Sequence, residues 1–347
     1  MHRWLSAWKS KHARNNGSLV SYRTQIFSSL FCVLGWTIAL LGAPNPEKQN
    51  LWDEATIINM CAKNMSVGAM SIAGRTFVYN GTHCNATYQE PDLIEVFEAH
   101  KTEWAYFGRT EAWWSVLTDD RWKGMKDIPA AYKDEFYQSS SAEYADLSNR
   151  LSEFKVSKRD RALDFGSGVG RLTLMLHKRM GFKHVIGVDQ SVWHTRIARA
   201  EMTRFHVQDH VQFLVSGPDL LRTLAGKRFD LVIFMIALQH MVPPLMVVYV
   251  EQFCDILEVG GFGYFQVPTK LVADYSQFRC SFEWSIQEGG MQVWYLEAAQ
   301  VHNALEGRGC CVLKQYDMDA IGIPESRSEL FFFEKKTEPF GNQLKCR

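Results

Sequence analysis

Three glycines and an acid, Asp164-Phe165-Gly166-Ser167-Gly168-Val169-Gly170-Arg171, lie directly between an apolar run and an amphipathic stretch. Glycines let the backbone take φ > 0 without strain and approach a ligand closely. The first turn of a following helix offers unpaired N–H groups to a carboxylate. The segment therefore reads as a cradle for a ligand. Its spacing departs from the dinucleotide fingerprint G-x-G-x-x-G, because Gly170 comes two residues after Gly168 and Arg171 stands where the last glycine belongs. That spacing, together with the acid at Asp164, disfavours a nicotinamide cofactor. A second acid, Asp189, ends the next apolar run nineteen residues after Gly170. A carboxylate there can accept two hydrogen bonds from a diol; the plainer alternative is a cap on the next helix. His240, in Met235-Ile-Ala-Leu-Gln-His240, has an unperturbed pKa of about 6.5 that suits proton removal near neutrality. The alternative role is a histidine that orients its loop.

These residues need a frame to bring them together. From Arg161 onward, apolar runs alternate with amphipathic stretches, which predicts a parallel sheet covered by helices. Ala162–Phe165 is the first strand. Arg171–Met180 follows as a helix, with Leu172, Met175, Leu176 and Met180 on one face and Gly181 closing it. Val185–Asp189, Val211–Val215 and Asp230–Met235 are the next three strands, the last bare of charge after its first residue and so buried on both faces. Gly260-Gly261 turns into a fifth, Gly263–Val267. Then Glu297–Gly307 reads as a helix, Cys310–Tyr316 as a strand and Leu330–Phe333 as the last strand. Two strands with no helix between them predict a closing antiparallel pair.

The run Leu163–Arg171 resembles motif I of the class I S-adenosylmethionine (SAM)-dependent methyltransferases. The resemblance implies an α/β fold, a Rossmann-like seven-stranded and mostly parallel sheet with an antiparallel last strand, and SAM as cofactor. It places Asp164 near the amino group of the methionine moiety and the turn of Gly166, Gly168 and Gly170 beneath the cofactor. Asp189, with Gln190 after it, grips the ribose hydroxyls. Asp219, in Ser216-Gly-Pro-Asp219, stands in the loop that meets adenine. Met235 and the residues to His240 match the segment after the fourth strand, which borders methyl donor and acceptor. The segments His100-Lys-Thr-Glu-Trp104, Phe107–Leu117 and Glu135–Tyr137 resemble the aromatic leader of several bacterial-type members; Tyr137 and Trp113 are then lid residues, or else aromatic packing on the sheet. His240 is the expected base for an alcohol acceptor, followed by Glu283 and Asp274. A non-catalytic binding module on the same fold is the alternative to an enzyme.

The rest of the chain bears on location and partners. Lys plus Arg equals Asp plus Glu, 38 each over 347 residues, so no bulk field attracts nucleic acid. No charge occurs from Thr24 to Pro46, and the eighteen residues Ile26–Ala43 are mostly apolar; about 17 to 25 such residues span a bilayer. Arg3, Lys9, Lys11, Arg14 and Arg23 precede this run, which places the N-terminus in the cytoplasm and the bulk of the chain beyond the membrane. The expected order is a basic tail (1–23), a signal anchor (24–46), a stem (47–91), a helical leader (92–151), the methyltransferase domain (152–336) and a tail (337–347), in a type II membrane protein of the secretory pathway. A cleaved signal peptide, a buried core helix and a cytosol-facing enzyme for a small metabolite are the alternatives. Asn64, Asn80 and Asn85 are glycosylation acceptors in the stem, and Cys61 and Cys84 bracket the same stretch as a possible disulfide. Cys310 and Cys311, neighbours on a strand, point to opposite faces and are expected as core thiols. No Cys/His cluster has structural-metal spacing. The expected acceptor is a small molecule or a glycan.

Overall fold

The computed structural model describes residues 70–72, 75–77, 90–270, 293–318, 326–337 and 346. Apart from a short hairpin of β1 (Met70–Ile72) and β2 (Arg75–Phe77), these residues build one sheet and its covering helices. The apolar runs become parallel strands because both of their faces are covered, so they need not alternate in polarity. They are β3 (Arg161–Phe165), β4 (His184–Asp189), β5 (Val211–Val215), β6 (Phe229–Phe234) and β7 (Leu257–Lys270). β6 is buried at every position, Asp230 included. The order across the sheet is β5-β4-β3-β6-β7-β9-β8, with β8 (Cys310–Asp317) and β9 (Arg327–Lys335) at one edge. β9 runs antiparallel to both β7 and β8. The predicted seven-stranded sheet with a reversed last strand is the sheet observed.

Register is fixed by aromatic pairs on the closing strands. Phe265 lies opposite Phe331 with rings stacked at 5.3 Å, and Phe262 stacks diagonally on Phe332 at 5.5 Å. Gly263 faces Phe333, whose ring occupies the space a β-carbon would take. On one side of the sheet Phe165, Phe234, Tyr249 and Phe253 form a contiguous aromatic core beneath α8 (Pro243–Ile256). That helix opens on two prolines, whose fixed φ suits a first turn.

The other side carries α5 (Arg171–Lys178) and α6 (Val192–Arg204), and over them the leader. The leader comprises α1 (Glu90–Thr110), α2 (Trp114–Leu117), α3 (Ala130–Gln138) and α4 (Ser141–Glu153). Trp113, Trp122, Phe136, Tyr137, Leu147 and Leu151 share a buried cluster with residues of α5 and α6. Polar ties reinforce it. Asp146 accepts from the phenols of Tyr264 and Tyr316, and Lys133 pairs with buried Glu201 at 2.7 Å. Burial, with Asp146 at hand, pushes both phenols well above their ordinary pKa.

The structure corrects one expectation. Cys310 and Cys311 do point to opposite faces, but neither is a free core thiol. Cys310 is bonded to Cys254 of α8, and Cys311 to Cys346 of the C-terminal tail, with Cα–Cα distances of 6.1 and 5.4 Å. The partners lie 56 and 35 residues away, so no local pattern announces them. The anchor at 24–46, the acceptors Asn64, Asn80 and Asn85, and the Cys61–Cys84 pair lie outside the described residues. Among the described residues, no helix is long and apolar enough to cross a membrane.

Closing a loop of this length by a disulfide stabilises mainly by restricting the unfolded chain. Replacing both Cys254 and Cys310 with Ala is therefore expected to cost about 2–4 kcal/mol of unfolding free energy, read from urea denaturation without reductant. Equal midpoints for the variant and the parent chain would show that this bond does not form.

Candidate active site

The order in which successive parallel strands are added reverses at β3: β4 and β5 lie to one side of it, β6 and β7 to the other. In an open α/β sheet the crevice beyond the carboxyl ends of the strands at such a point is where ligands sit. The loops after β3, β4 and β6 carry the residues singled out from the sequence.

The glycine turn has the required backbone: φ is +69° at Gly166, +52° at Gly168 and +88° at Gly170. It is tied to the neighbouring strand, since the N–H groups of Gly166 and Ser167 donate to the carbonyl of Val188 at 2.7 and 3.1 Å. Asp189 completes the tie. Its Oδ2 accepts from Gly168 N–H and its Oδ1 from Ser191 N–H, both at 2.8 Å. Each carboxylate oxygen has a further lone pair, so the group can hold the loop and still accept from a diol. Asp164 is buried and accepts from the Thr173 hydroxyl at 2.5 Å. Burial pushes its carboxyl up to about 7, with the nearby Asp189 adding to the rise and Thr173 and Arg171 opposing it.

The leader bears on this loop directly. Tyr137 donates its phenol to the carbonyl of Val169 at 2.8 Å, and Trp113 is wholly buried edge-on to Phe136 and Tyr137. These side chains brace the turn through its backbone and through packing. A β-carbon on Gly168 would stand 2.7 Å from Val116 of α2, and one on Gly166 would meet Ala237. Space as well as φ thus requires glycine at both. Within the turn and at the first residue of α5, Ser167 Oγ and Nε and Nη1 of Arg171 are buried without partners. Two acids, orphaned donors and a glycine cradle fit a ligand that carries both a diol and a charged amino-acid end.

Met235 ends the buried run of β6. Ile236 then adopts φ +58°, a left-handed conformation that is strained for a β-branched residue and costs about 1–3 kcal/mol. Its N–H donates to Gln266 Oε1 at 3.1 Å, and the Gln266 amide in turn donates to Gln239 and Ser328. Gln239 contacts His240 Nε2 at 3.3 Å, and the Trp104 ring meets the His240 ring at 5.1 Å, edge to face. Alongside stand groups that sequence reasoning did not single out. His100 is pushed down to about 4 by burial and by the neighbouring His240, and burial pushes Glu103 up to about 7. His194 meets Ser115 at 2.9 Å and is lowered by burial. His100, Glu103, Trp104 and Phe107 recur at helical spacing along α1, which is the signal the sequence did contain. Asp219 is exposed and caps the short helix α7 (Leu220–Leu224), accepting from Arg222 N–H. Gln190 is half-buried beside Asp189. Asp274 and Glu283 lie outside the described residues.

The sheet order and the glycine loop define a doubly wound methyltransferase-type domain. Residues 162–261 match the family described as "Methyltransferase domain", which agrees with the resemblance to the class I SAM-dependent methyltransferases. SAM is the cofactor of that class. Three solved structures illustrate the likeness. Magnesium protoporphyrin IX methyltransferase from Synechocystis PCC 6803 is 14% identical, with a TM-score of 0.47, over 68% of this chain and 99% of that one. Geranyl diphosphate C-methyltransferase from Streptomyces coelicolor A3(2) is 14% identical at a TM-score of 0.47, over 68% and 97%. A SAM-dependent methyltransferase from Clostridium acetobutylicum ATCC 824 is 11% identical at 0.43, over 60% and 100%. No curated protein matches the chain.

The raised carboxyl of Asp164 has a consequence for binding. Because its folded value of about 7 lies above the ordinary 3.8, it favours the protonated form, and that stabilisation fades as pH rises through about 7. An ammonium beside it favours the ionised form, so binding must expel the proton at lower pH. Affinity for S-adenosylhomocysteine is expected to rise between about pH 5 and about pH 7, by at most about tenfold per unit, and then level. Calorimetry should show this slope lost in Asp164→Asn; an identical slope in the variant would place the proton elsewhere.

Proposed function

We propose that this protein transfers a methyl group from SAM to a small-molecule or glycan acceptor on the far side of a membrane to which its N-terminal segment anchors it. The observation that carries the cofactor half is Asp189, held over the glycine turn by two backbone N–H groups while keeping lone pairs for a ribose. SAM supplies, when bound, a methyl group on a sulfonium, an electrophile that needs no metal.

The chain's own residues then have separable tasks. Asp189 holds the sugar and, through Gly168, the loop. Asp164 takes the ammonium of the methionine end. Gln266 and Gln239 fix the strained turn at Ile236 and present His240 beside Trp104, where His240 removes the acceptor's proton. Holding an acceptor lone pair in line with the transferred group can contribute roughly 7–11 kcal/mol. A general base adds about 10²- to 10⁴-fold for a hydroxyl acceptor, while a sulfur or amine acceptor needs none.

The two disulfides support the lumenal placement. Bonds of this kind persist in oxidising compartments and are rare in the cytosol. The apolar run at 24–46 and the acceptors Asn64, Asn80 and Asn85 agree with the same placement. A cytosol-facing enzyme for a small metabolite is the competing reading, and the disulfides count against it.

Calorimetric titration of the full chain with SAM should give one site, and Asp189→Ala should weaken it by tenfold or more. Absence of heat in the parent chain would leave only a non-catalytic module on this fold. Incubation with labelled SAM and secretory-vesicle or cytosolic extracts identifies the acceptor. His240→Gln should then lower the transfer rate about 10²-fold or more for a hydroxyl acceptor, with SAM affinity kept within about twofold; an unchanged rate would remove His240 from the chemistry. Glycosidase treatment should increase gel mobility, and the domain should resist protease in intact vesicles. Unchanged mobility together with a protease-sensitive domain would put it in the cytosol.

A further inference from the structure

A chain of buried polar groups runs from the main chain of the strained turn to the imidazole of His240. Gln266 of β7 is wholly buried, and Gln239, His240 and Ser328 are nearly so. The chain starts at the N–H of Ile236, a backbone group that can only donate. It donates to Oε1 of Gln266 at 3.1 Å. The Gln266 amide cannot be turned over, because its nitrogen would then set donor against donor.

An amide fixed at its oxygen is fixed at its nitrogen. Gln266 Nε2 has two hydrogens, and it gives them to Ser328 Oγ at 2.6 Å and to Oε1 of Gln239 at 3.2 Å. Gln239 is thereby oriented as well. Its own Nε2 is left to face Nε2 of His240 at 3.3 Å. An amide nitrogen donates and does not accept, and a neutral imidazole has one N–H and one lone pair. The ring nitrogen that meets Gln239 therefore carries the lone pair, and the proton sits on Nδ1. No step leaves a choice. The left-handed backbone at Ile236, with φ +58°, belongs to the same device, since its N–H is the fixed starting point.

We propose that Gln266 is a positioning residue that, through Gln239, holds neutral His240 with its proton on Nδ1 and its lone pair on Nε2. The inference rests on the reading of His240 as the base, and it names the atom that takes the proton. The bond from Gln239 is long for a hydrogen bond, so an acceptor hydroxyl can displace it and donate to the same lone pair. The hydroxyl proton then passes to Nε2 while an oxygen electron pair forms the bond to the methyl carbon and the S–CH₃ pair goes to sulfur. In the opposite tautomer Nε2 already bears a hydrogen, and that proton has nowhere to go. A purely structural tie between strands would be indifferent to which nitrogen is protonated, so the tautomer separates the two roles.

Long-range ¹H–¹⁵N correlation spectra of the full chain with labelled histidine read the tautomer directly, at about pH 8 and without SAM or acceptor. The His240 signals are identified by their loss in His240→Gln. They should show Nδ1 protonated and Nε2 bare. Gln239→Glu keeps the shape but offers His240 only acceptor oxygens, so the proton should move to Nε2. Gln266→Met frees the Gln239 amide to turn and should give a mixture of both forms. Unmoved signals from His177 and His210 would show that each variant is folded. A parent chain with the proton on Nε2 overturns the proposal, whatever the variants do. An unchanged His240 pattern in folded Gln239→Glu or Gln266→Met overturns it too. Gln239→Glu should also slow transfer to a hydroxyl acceptor about tenfold or more, with SAM affinity kept within about twofold; an unchanged rate with an inverted tautomer would remove Nε2 from the chemistry. A parent chain that shows the expected tautomer yet neither binds SAM nor transfers a methyl group would sink the methyltransferase reading and leave the tautomer assignment standing.

Discussion

The site depends on two hydrogen bonds from backbone N–H groups to one carboxylate. Asp189 ends β4, and by accepting from Gly168 and Ser191 it fastens the turn after β3 to the start of α6. The Gly166 and Ser167 N–H groups tie the start of the turn to Val188 of β4, and Asp189 carries that tie past the strand end to the next loop. A side chain that spans both loops converts two strand ends into one rigid edge. On the reading proposed above, the same atoms also accept from the ribose, so that a single group holds both scaffold and ligand. Charge-assisted hydrogen bonds of this kind are short and about twice as strong as neutral ones, which suits a group asked to do both.

Around that edge the protein keeps charges and polar atoms under conditions that disfavour them. Asp164, Asp189, Arg171 and Glu103 are wholly or largely out of water, and Ile236 is held in a strained turn. Burial of the Asp164 and Glu103 carboxyls and the left-handed turn at Ile236 each lower the stability of the folded chain. The compensation comes from elsewhere: the aromatic ladder between β7 and β9, the aromatic core beneath α8, the leader's tryptophans packed on α5 and α6, and the disulfide from α8 to β8. Unsatisfied groups concentrated where a ligand would satisfy them are the mark of a binding site rather than of a weak core.

What could be read from the sequence was local. The glycine turn, Asp164 and Asp189 follow from strand, turn and helix signals within about thirty residues, and the strand boundaries fell within a few residues of those found, β7 and β9 excepted. What escaped depends on contacts between distant segments. Tyr137 is placed near the turn by the leader's resemblance, yet its bond to the Val169 carbonyl emerges only when α3 packs on α5. Gln266 and Ser328 come from the fifth and last strands and meet only across the sheet. Asp219 has the residue type of a ligand and the position of a helix cap, and in this fold it caps. The opposite facing of Cys310 and Cys311 was legible from the strand period; their partners were not, because sequence separation says nothing of proximity.

The central claim remains the clamp at Asp189. Its most direct test is a crystal structure of the full chain with S-adenosylhomocysteine. The account predicts both ribose hydroxyls within hydrogen-bonding distance of the Asp189 carboxylate, with the bond to Gly168 kept. Density for the ligand elsewhere, or a ribose that leaves Asp189 untouched, would contradict it.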